Sequence, residues 1–329
     1  MSLDLDTAVP AGRHGRRAGR QPGRQRAPRR SLTRLDLRFS PYLYVLPFFV
    51  LFAIFGAYPI VYTAWIALTD RSPMNATISF VGLDNFIELI TEDPQFWNAV
   101  VNTFGMFVLA TVPQLMLALM LANALNRRIR GQTFFRMAIA MPIITSTAVV
   151  ALIFSIIYGR DFGLVNWGLD LVGIAPLDWR ANRYASWFAI STMVDWRWVG
   201  YNALIYLAAM QSISKDMYEA ASLDGASRTR QFWTITIPQL RPTIIFTVII
   251  STIGGLQLFT EPLLFTSGSG GLSGGSEGQF QTITMYLLDV MNNRFRWGYA
   301  GAVALVLFLL IAVVSIVNYL LARRISSDT

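Results

Sequence analysis

The sequence has 329 residues, of which 54% are hydrophobic and 14% charged, whereas about a quarter of the residues in soluble domains are charged. It contains no cysteine and a single histidine, His14, in an Arg-rich tail, which excludes disulfides, Cys-ligated metals, thiolate nucleophiles and His-dependent catalysis. A net charge of +8 in so apolar a chain is typical of a membrane protein that keeps its charges outside long uncharged segments.

The chain begins with a tail, residues 1–40, that is rich in Arg, Gly, Pro and Gln and poor in apolar residues. This composition predicts disorder, because too little apolar surface is available for burial. We expect the tail to be a solvated determinant of topology that contacts anionic lipid headgroups, with no nucleic-acid partner.

Residues 41–325 contain six stretches that are long enough and apolar enough to span a bilayer, and residues 326–329 form a short C-terminal tail. The predicted spans are Leu43–Leu68, Phe96–Leu125, Phe134–Tyr158, Ala185–Met210, Thr243–Phe265 and Tyr299–Leu321. Pro142 and the pair Gly254–Gly255 predict kinks rather than breaks, because neighbouring helices satisfy the freed backbone groups. The prediction is an all-α integral membrane protein with six transmembrane helices.

The distribution of positive charge predicts the orientation of these spans. Twenty of the 27 Lys and Arg residues lie in the N-terminal tail, in the second-to-third and fourth-to-fifth loops, and at the C-terminus. Cytoplasmic segments carry an excess of Lys and Arg, so both termini are expected in the cytoplasm.

Two segments on the opposite side have recognisable local patterns. The first loop predicts a short helix near Asn85–Ile90. The Gly/Ser-rich stretch Ser267–Gly278 predicts a flexible linker to an outer element, Phe280–Met291. The only lysine in the chain, Lys215, does not follow a glycine-rich loop, which excludes a Walker-type nucleotide site.

The fourth-to-fifth loop, residues 211–241, contains the most informative pattern. Ser214 is a suitable N-cap and Gly225 suits the left-handed position after a helix, so a short helix is predicted between them. Ala220 and Ala221 make one side of this helix small enough for close approach of another surface, and Glu219 offers it a charged acceptor. Pro238 marks the return to the bilayer.

The spacing of Glu219-Ala220-Ala221, Gly225 and Ile235-Thr236-Ile237-Pro238 resembles the E-A-A…G…I-x-L-P signature of inner-membrane permease subunits of ATP-binding-cassette (ABC) importers. Ile237 stands where that family usually has leucine. Phe80–Phe86, Phe134-Phe135-Arg136 and Gly298-Tyr299-Ala300 resemble the sugar-permease branch related to maltose and lactose importers. Further runs are similar to actinobacterial cellobiose-type permeases, namely Ser40–Tyr44, Gly159–Trp167 and Gly254–Pro262.

The resemblance implies a type I ABC importer permease fold and a set of partners. These are a second, related permease forming a heterodimer, two cytoplasmic ATPase subunits and an extracytoplasmic sugar-binding protein. Glu219, Ala220, Ala221, Gly225 and Pro238 would belong to the loop that inserts into the ATPase, with Arg228 and Arg230 as flanking contacts. ATP and Mg²⁺ would be bound by the ATPase, so this chain would be a transport subunit without a cofactor, multi-pass in the bacterial inner membrane.

Polar groups inside the predicted spans are candidates for the path of a sugar, because each is costly in hydrocarbon unless it faces a cavity or a partner. The fourth span offers Asp195, Arg197, Tyr201 and Asn202, and the fifth offers Gly254, Gly255, Gln257 and Glu261. Asp195 and Arg197 are two residues apart and point in different directions on a helix, so each needs its own partner. Packing against the partner permease is the alternative for the charged residues, and helix–helix packing is the alternative for the glycines.

Two other functions remain as alternatives to a sugar permease. A permease for another polar solute, such as glycerol phosphate, would favour several positive charges within the membrane. With Arg136 assigned to the second-to-third loop, Arg197 is the single positively charged residue in the predicted spans. A secondary transporter would favour paired repeats and an ion-coupling charge cluster, and we find no convincing internal repeat.

Overall fold

The computed structural model describes residues 30–75, 77–127, 130–265 and 271–327. Within these ranges the chain is helical, and its one β pairing is an isolated bridge between Thr69 and Phe80. The α-helices are α1 (Arg30–Phe52), α2 (Tyr58–Ala67), α3 (Asp84–Thr91), α4 (Pro94–Leu125), α5 (Gln132–Ile144), α6 (Thr147–Ile157), α7 (Leu164–Leu171), α8 (Arg183–Gln211), α9 (Lys215–Leu223), α10 (Arg228–Gln231), α11 (Ile237–Leu256), α12 (Thr260–Phe265), α13 (Ile283–Asn292) and α14 (Trp297–Ser327).

The chain divides into two units, Met1–Tyr58 and Pro59–Thr329. Of the first unit, the structure describes α1 and a following π-helical segment, Ala53–Ala57. α1 begins at Arg30, before the predicted boundary at residue 40, and residues 1–29 of the predicted tail lie outside the described residues. The remaining description concerns the second unit.

In the described part of the chain, four helical stretches are long and apolar enough to cross a membrane: Ser40–Ala67, Pro94–Leu125, Arg228–Leu256 and Trp297–Leu321. The pair α5 and α6 makes a fifth if a bent pair counts as one span. α8 contains the predicted fourth span and has 29 residues, but its charged and polar side chains keep it outside this set. The number of six spans therefore stays a prediction, whereas a helical protein with several spans is confirmed.

The predicted third span is broken rather than kinked. α5 and α6 are bent by 94° relative to each other, with Thr145 and Ser146 extended between them. Pro142 lacks an N–H and cannot donate to the preceding turn, so the helix is weakened immediately before the break. The expectation of a simple kink was wrong here.

The predicted fifth span is also broken. α11 ends at Leu256, residues 257–259 are not helical, and α12 begins at Thr260. Gly254 and Gly255 occupy the last turn of α11, where two glycines in succession lower helix stability. A continuous helix over Thr243–Phe265 was therefore a wrong prediction.

α4 is the central helix of the second unit. It contributes residues to three apolar clusters, which it forms with α8, with α13 and α14, and with α6. α8 comes very close to α5, because a Cβ on Gly200 would lie 1.7 Å from the carbonyl oxygen of Ile139. Small residues at such crossings allow backbones to approach closely, which is the common packing mode in membranes.

The described part of the Gly/Ser-rich stretch, residues 271–278, is not a flexible linker. The carbonyl oxygen of Gly278 accepts hydrogen bonds from the side-chain amides of Asn98 and Asn102, both over 2.7 Å. Gln281 donates from Nε2 to the carbonyl oxygen of Leu272 over 2.8 Å. Amide side chains on α4 and near α13 therefore fix the backbone of this segment. Its Gly/Ser-rich composition could not reveal these hydrogen bonds.

Candidate functional site

The first candidate site is the short helix α9, which follows α8. Ser214 accepts the N–H of Asp216 over 3.2 Å and caps its start. At its end Gly225 has φ +76°, and the N–H groups of Gly225 and Ala226 donate to the carbonyls of Ser222 and Ala221 over 3.1 and 2.9 Å. This pair of bonds is a Schellman motif, which satisfies the last carbonyls of a helix. The predicted helix and both of its caps are confirmed.

α9 is attached to the helical segment that leads into α11. The Tyr218 hydroxyl lies 2.9 Å from Oγ1 of Thr236. Gln231 donates from Nε2 to Ser222 Oγ over 2.9 Å and to the Ala226 carbonyl over 3.0 Å. A force on α9 would therefore be transmitted to α11 through side-chain hydrogen bonds as well as through the chain.

The segment between α10 and α11, Phe232–Thr236, is a π-helix, and Pro238 lies in the first turn of α11. A proline cannot donate the usual helical hydrogen bond, and a π-helical turn absorbs such a mismatch without ending the helix. The chain therefore enters the candidate span Arg228–Leu256 as one helical stretch.

The exposed side of this loop carries the residues that the signature singled out. Glu219, Ala220, Arg228 and Arg230 are exposed, and Ala221 is half-buried. A cavity of about 890 Å³ opens between α9, α10 and the last turns of α4, and Glu219 and Arg228 are among its lining residues. The surface combines small side chains with both signs of charge, which suits docking of a second protein surface.

The second candidate site is a cavity of about 380 Å³ within the predicted spans, between α4, α8 and α11, and the residues of the break after α11 also line it. Six of the eight candidates from the fourth and fifth spans line it: Tyr201, Asn202, Gly254, Gly255, Gln257 and Glu261. Gln257 is the first residue after α11, at the break in the fifth span, and it lines the cavity.

The other two predicted residues, Asp195 and Arg197, are not among the lining residues. As predicted they do not pair with each other. Arg197 donates from Nη1 to Oε1 of Glu261 over 2.8 Å, and Glu261 itself lines the cavity. Oδ1 of Asp195 is buried without a hydrogen-bond partner among the described residues.

The two glycines have different surroundings. A Cβ on Gly255 would lie 2.8 Å from Cδ2 of Phe107 and 3.1 Å from Oγ1 of Thr111, so this glycine lets α11 pack against α4. A Cβ on Gly254 would meet nothing within 4 Å. Both glycines line the cavity, and Gly255 in addition allows close helix–helix packing.

Several lining residues were missed by the sequence analysis. Thr111 and Gln114 on α4 and Ser251 on α11 line the cavity, and Gln114 donates to Ser251 over 3.5 Å. The signal was present, since Thr111 and Gln114 are polar residues beside Pro113 in an otherwise apolar span. The aromatic residues Trp198 and Phe259 complete the wall.

Residues 114–327 match the family described as "Binding-protein-dependent transport system inner membrane component". This match covers α9 with its caps, and the parts of α8, α11 and α12 that line the intramembrane cavity. The chain belongs to this family. The permease is thus a transport subunit rather than an enzyme, and it is a multi-pass membrane protein that works with a binding protein.

Curated relatives align with nearly all of the permease. The lactose transport system permease protein LacF of Rhizobium radiobacter is 36% identical over 289 residues, covering 86% of this chain and 94% of its own. The arabinooligosaccharides transport system permease protein AraP of Bacillus subtilis (strain 168) is 34% identical over 292 residues, covering 88% and 90%.

A solved structure has the same fold. A chain of a bacterial ABC transporter involved in the import of the acidic polysaccharide alginate superposes with a TM-score of 0.74 at 22% identity, covering 90% of the permease and 99% of that chain. The permease therefore has the type I ABC importer permease fold that the resemblance implied.

Proposed function

We propose that this permease carries an uncharged sugar, a di- or oligosaccharide such as cellobiose, into a bacterial cell, driven by ATP hydrolysis on a separate subunit. Relatives at 30% identity or more support the sugar class, since their names specify lactose, arabinooligosaccharides and trehalose/maltose.

The observation that carries this proposal is the composition of the intramembrane cavity. Hydroxyl and amide groups that can bond sugar hydroxyls come from Tyr201, Asn202, Gln257, Thr111 and Gln114. Trp198 and Phe259 offer aromatic faces beside them. Few, well-placed polar groups in a mostly apolar wall are the usual make-up of a small-molecule site.

The charge of the cavity favours a neutral solute over glycerol phosphate. Among the described residues that line the cavity, Glu261 is the one with a charge, and its carboxylate is neutralised by Arg197. An anionic solute would meet a carboxylate at the wall and would have to compete with Glu261 for the guanidinium of Arg197. In this proposal Arg197 acts through Glu261 in the wall of the cavity, and neither Arg197 nor Asp195 touches the sugar.

The proposed assembly contains a second, related permease, two ATPase subunits and an extracytoplasmic sugar-binding protein. The permease crosses the inner membrane six times with both termini in the cytoplasm, so that α9 lies on the cytoplasmic side. Glu219, Ala220, Ala221 and Gly225 form the contact with the ATPase, and Arg228, Arg230 and Pro238 flank it. ATP and Mg²⁺ are bound by the ATPase chain.

The experiment is purification of the tagged chain from its native membrane in mild detergent, with identification of co-purifying proteins by mass. The proposal predicts a second permease and an ATPase in the complex, and loss of the ATPase when Glu219 and Gly225 are replaced together. A chain that purifies alone and transports a sugar without ATP would support a secondary transporter and overturn the proposal.

A further inference from the structure

The short helix α3 has three distinct faces. Asn85 and Leu89 are buried against the rest of the permease. Leu83, Ile87 and Ile90 are 62%, 55% and 50% exposed, and their spacing of four and three residues places them on one stripe of the helix surface. A second exposed flank is polar and contains Asp84 and Thr91.

The depth of α3 is fixed by hydrogen bonds to the ends of two candidate spans. Asn85 donates from Nδ2 to the carbonyl oxygens of Ala67 and Thr69 over 2.8 and 2.9 Å, where the span Ser40–Ala67 ends. At the other end of α3, Trp97 donates from Nε1 to the carbonyl oxygen of Ile90 over 2.8 Å, in the first turn of the span Pro94–Leu125. α3 therefore lies at the level where both spans meet the membrane surface.

Three tryptophans lie at this same level. Trp65 is 57% exposed near the end of one candidate span, and Trp97 and Trp297 are 47% and 39% exposed at the starts of two others. Gly298 holds the start of α14 against the segment that follows α2, since its N–H donates to the carbonyl of Arg71 over 2.9 Å. Exposed tryptophans at one end of several spans are typical of the interface between hydrocarbon and water.

The rotation of α3 is fixed by an ion pair. Both guanidinium nitrogens Nη1 and Nη2 of Arg296 donate to the two carboxylate oxygens of Glu88 over 2.6 Å. Such a bidentate pair restrains geometry as well as adding energy. With Asn85 held on one side and Glu88 on another, the apolar stripe can point in only one direction.

We propose that α3 is an interfacial anchor, with Leu83, Ile87 and Ile90 inserted among the lipid acyl chains just below the headgroups and with Asp84 and Thr91 in water. An amphipathic helix in the interface buries its apolar face to a depth of about 5–10 Å. Because exposed tryptophans mark this end of the adjoining spans as the membrane interface, a lipid surface is the occupant of the stripe. The proposal goes beyond the proposed function, because it concerns the membrane and not the transported solute.

Because this chain contains no cysteine, an introduced cysteine is its single labelling site. The wild-type complex, treated in the same way, gives the background from the partner subunits. Single variants Ile90→Cys and Asp84→Cys of the full complex are labelled with an environment-sensitive fluorophore and reconstituted into phospholipid vesicles. The two positions lie about 120° apart around α3, from the 3.6-residue helical repeat. Lipids brominated near the headgroup end of their acyl chains serve as the quencher, and a water-soluble iodide serves as the second quencher.

The proposal predicts a blue-shifted emission at position 90 that brominated lipid quenches and iodide does not, with the reverse at position 84. Equal quenching at the two positions would overturn it. Emission at position 90 that brominated lipid leaves unchanged, but that becomes protected from iodide when the extracytoplasmic binding protein is added, would assign the stripe to a protein partner and would also overturn it. Retained ATP-dependent uptake by both variants establishes that the labelled complexes are folded.

Discussion

The guanidinium of Arg197 on α8 and the carboxylate of Glu261 on α12 form an ion pair of 2.8 Å in which the side chains are only 10% and 9% exposed. The pair joins α8 to the short helix after the break in the fifth span. Because Glu261 also lines the intramembrane cavity, the pair links the position of α12 to the shape and charge of that cavity.

Removal of one partner from this pair should destabilise the permease strongly. Arg197→Met or Glu261→Gln each leaves a buried group unpaired, which costs about 3–5 kcal/mol, whereas the double variant removes both and should recover much of the loss. Thermal unfolding of the purified complex measures this. Arg160→Met is the control, because the pair Arg160–Asp178 is largely exposed and such pairs contribute about 0–1 kcal/mol. Single and double variants with equal stability would contradict an energetic coupling between the two side chains.

The glycine pair gives a matched comparison. Gly255→Ala places a methyl 2.8 Å from Phe107, and such overpacking costs about 1–3 kcal/mol. Gly254→Ala meets no atom within 4 Å and should be neutral or should stabilise the helix by about 0.5–1 kcal/mol. The unfolding temperatures of the two variants should therefore move in different directions. A larger loss of stability for Gly254→Ala than for Gly255→Ala would show that the cavity is filled by a neighbouring chain.

Asp93 should make the permease less stable as the pH becomes acidic. Burial raises the pKa of this carboxyl, but hydrogen bonds from Tyr286 and Tyr299 and from the N–H groups of Phe96 and Gln95 outweigh burial, so that its pKa lies below the ordinary 3.8. A group with a lowered pKa in the folded protein stabilises it fully above the unfolded pKa and loses that contribution as pH falls through the folded pKa.

The measurement is the difference in unfolding temperature between the wild type and Asp93→Asn as a function of pH. Asparagine retains a cap for α4 but cannot carry the charge. The difference in unfolding temperature between the two proteins should therefore be largest above pH 3.8 and should shrink as the pH falls below that value. Other carboxylates titrate equally in both proteins and cancel. A difference that stays constant or widens toward acid would contradict the role of the Asp93 charge.

Substitution of Gly225 should be harmful for two reasons that experiment can separate. Its φ of +76° makes a side chain cost about 1–2 kcal/mol, and a Cβ would protrude from the proposed ATPase contact. Gly173 has φ +77°, and at both glycines an added Cβ would meet no atom within 4 Å, so Gly173→Ala should cost the same stability. ATPase activity of the assembled complex should fall with Gly225→Ala and not with Gly173→Ala. Equal activities would assign Gly225 to folding alone.

The loop helix could be predicted from the sequence because its determinants are local. Ser214, Gly225 and the residues between them fix both ends of α9 through hydrogen bonds within a few residues. The cavity residues could be predicted in part, because a polar side chain in an apolar span is costly in lipid on any face of the helix and therefore indicates a cavity or a partner. Six of the eight candidates line one cavity, although they come from two spans that are far apart in the sequence.

The breaks and the partners across long sequence distances could not be predicted. Proline and glycine weaken a helix, but whether Pro142 produces a kink or a 94° bend depends on the packing around it. The partner of Arg197 lies 64 residues away, and pairing at that distance is decided by the tertiary fold. Similarly, Asn98 and Asn102 order a Gly/Ser-rich segment that composition describes as flexible.

The most direct measurement is uptake of a radiolabelled disaccharide into vesicles that contain the reconstituted complex, with ATP supplied on the side of α9 and the sugar-loaded binding protein on the other. The account predicts uptake that needs ATP and the binding protein and that is lost in Glu219→Gln, while the matched variant Glu92→Gln, at an exposed position before α4, transports normally. Uptake that is independent of ATP, or that is unchanged in Glu219→Gln, would contradict an ATP-driven permease coupled through this loop.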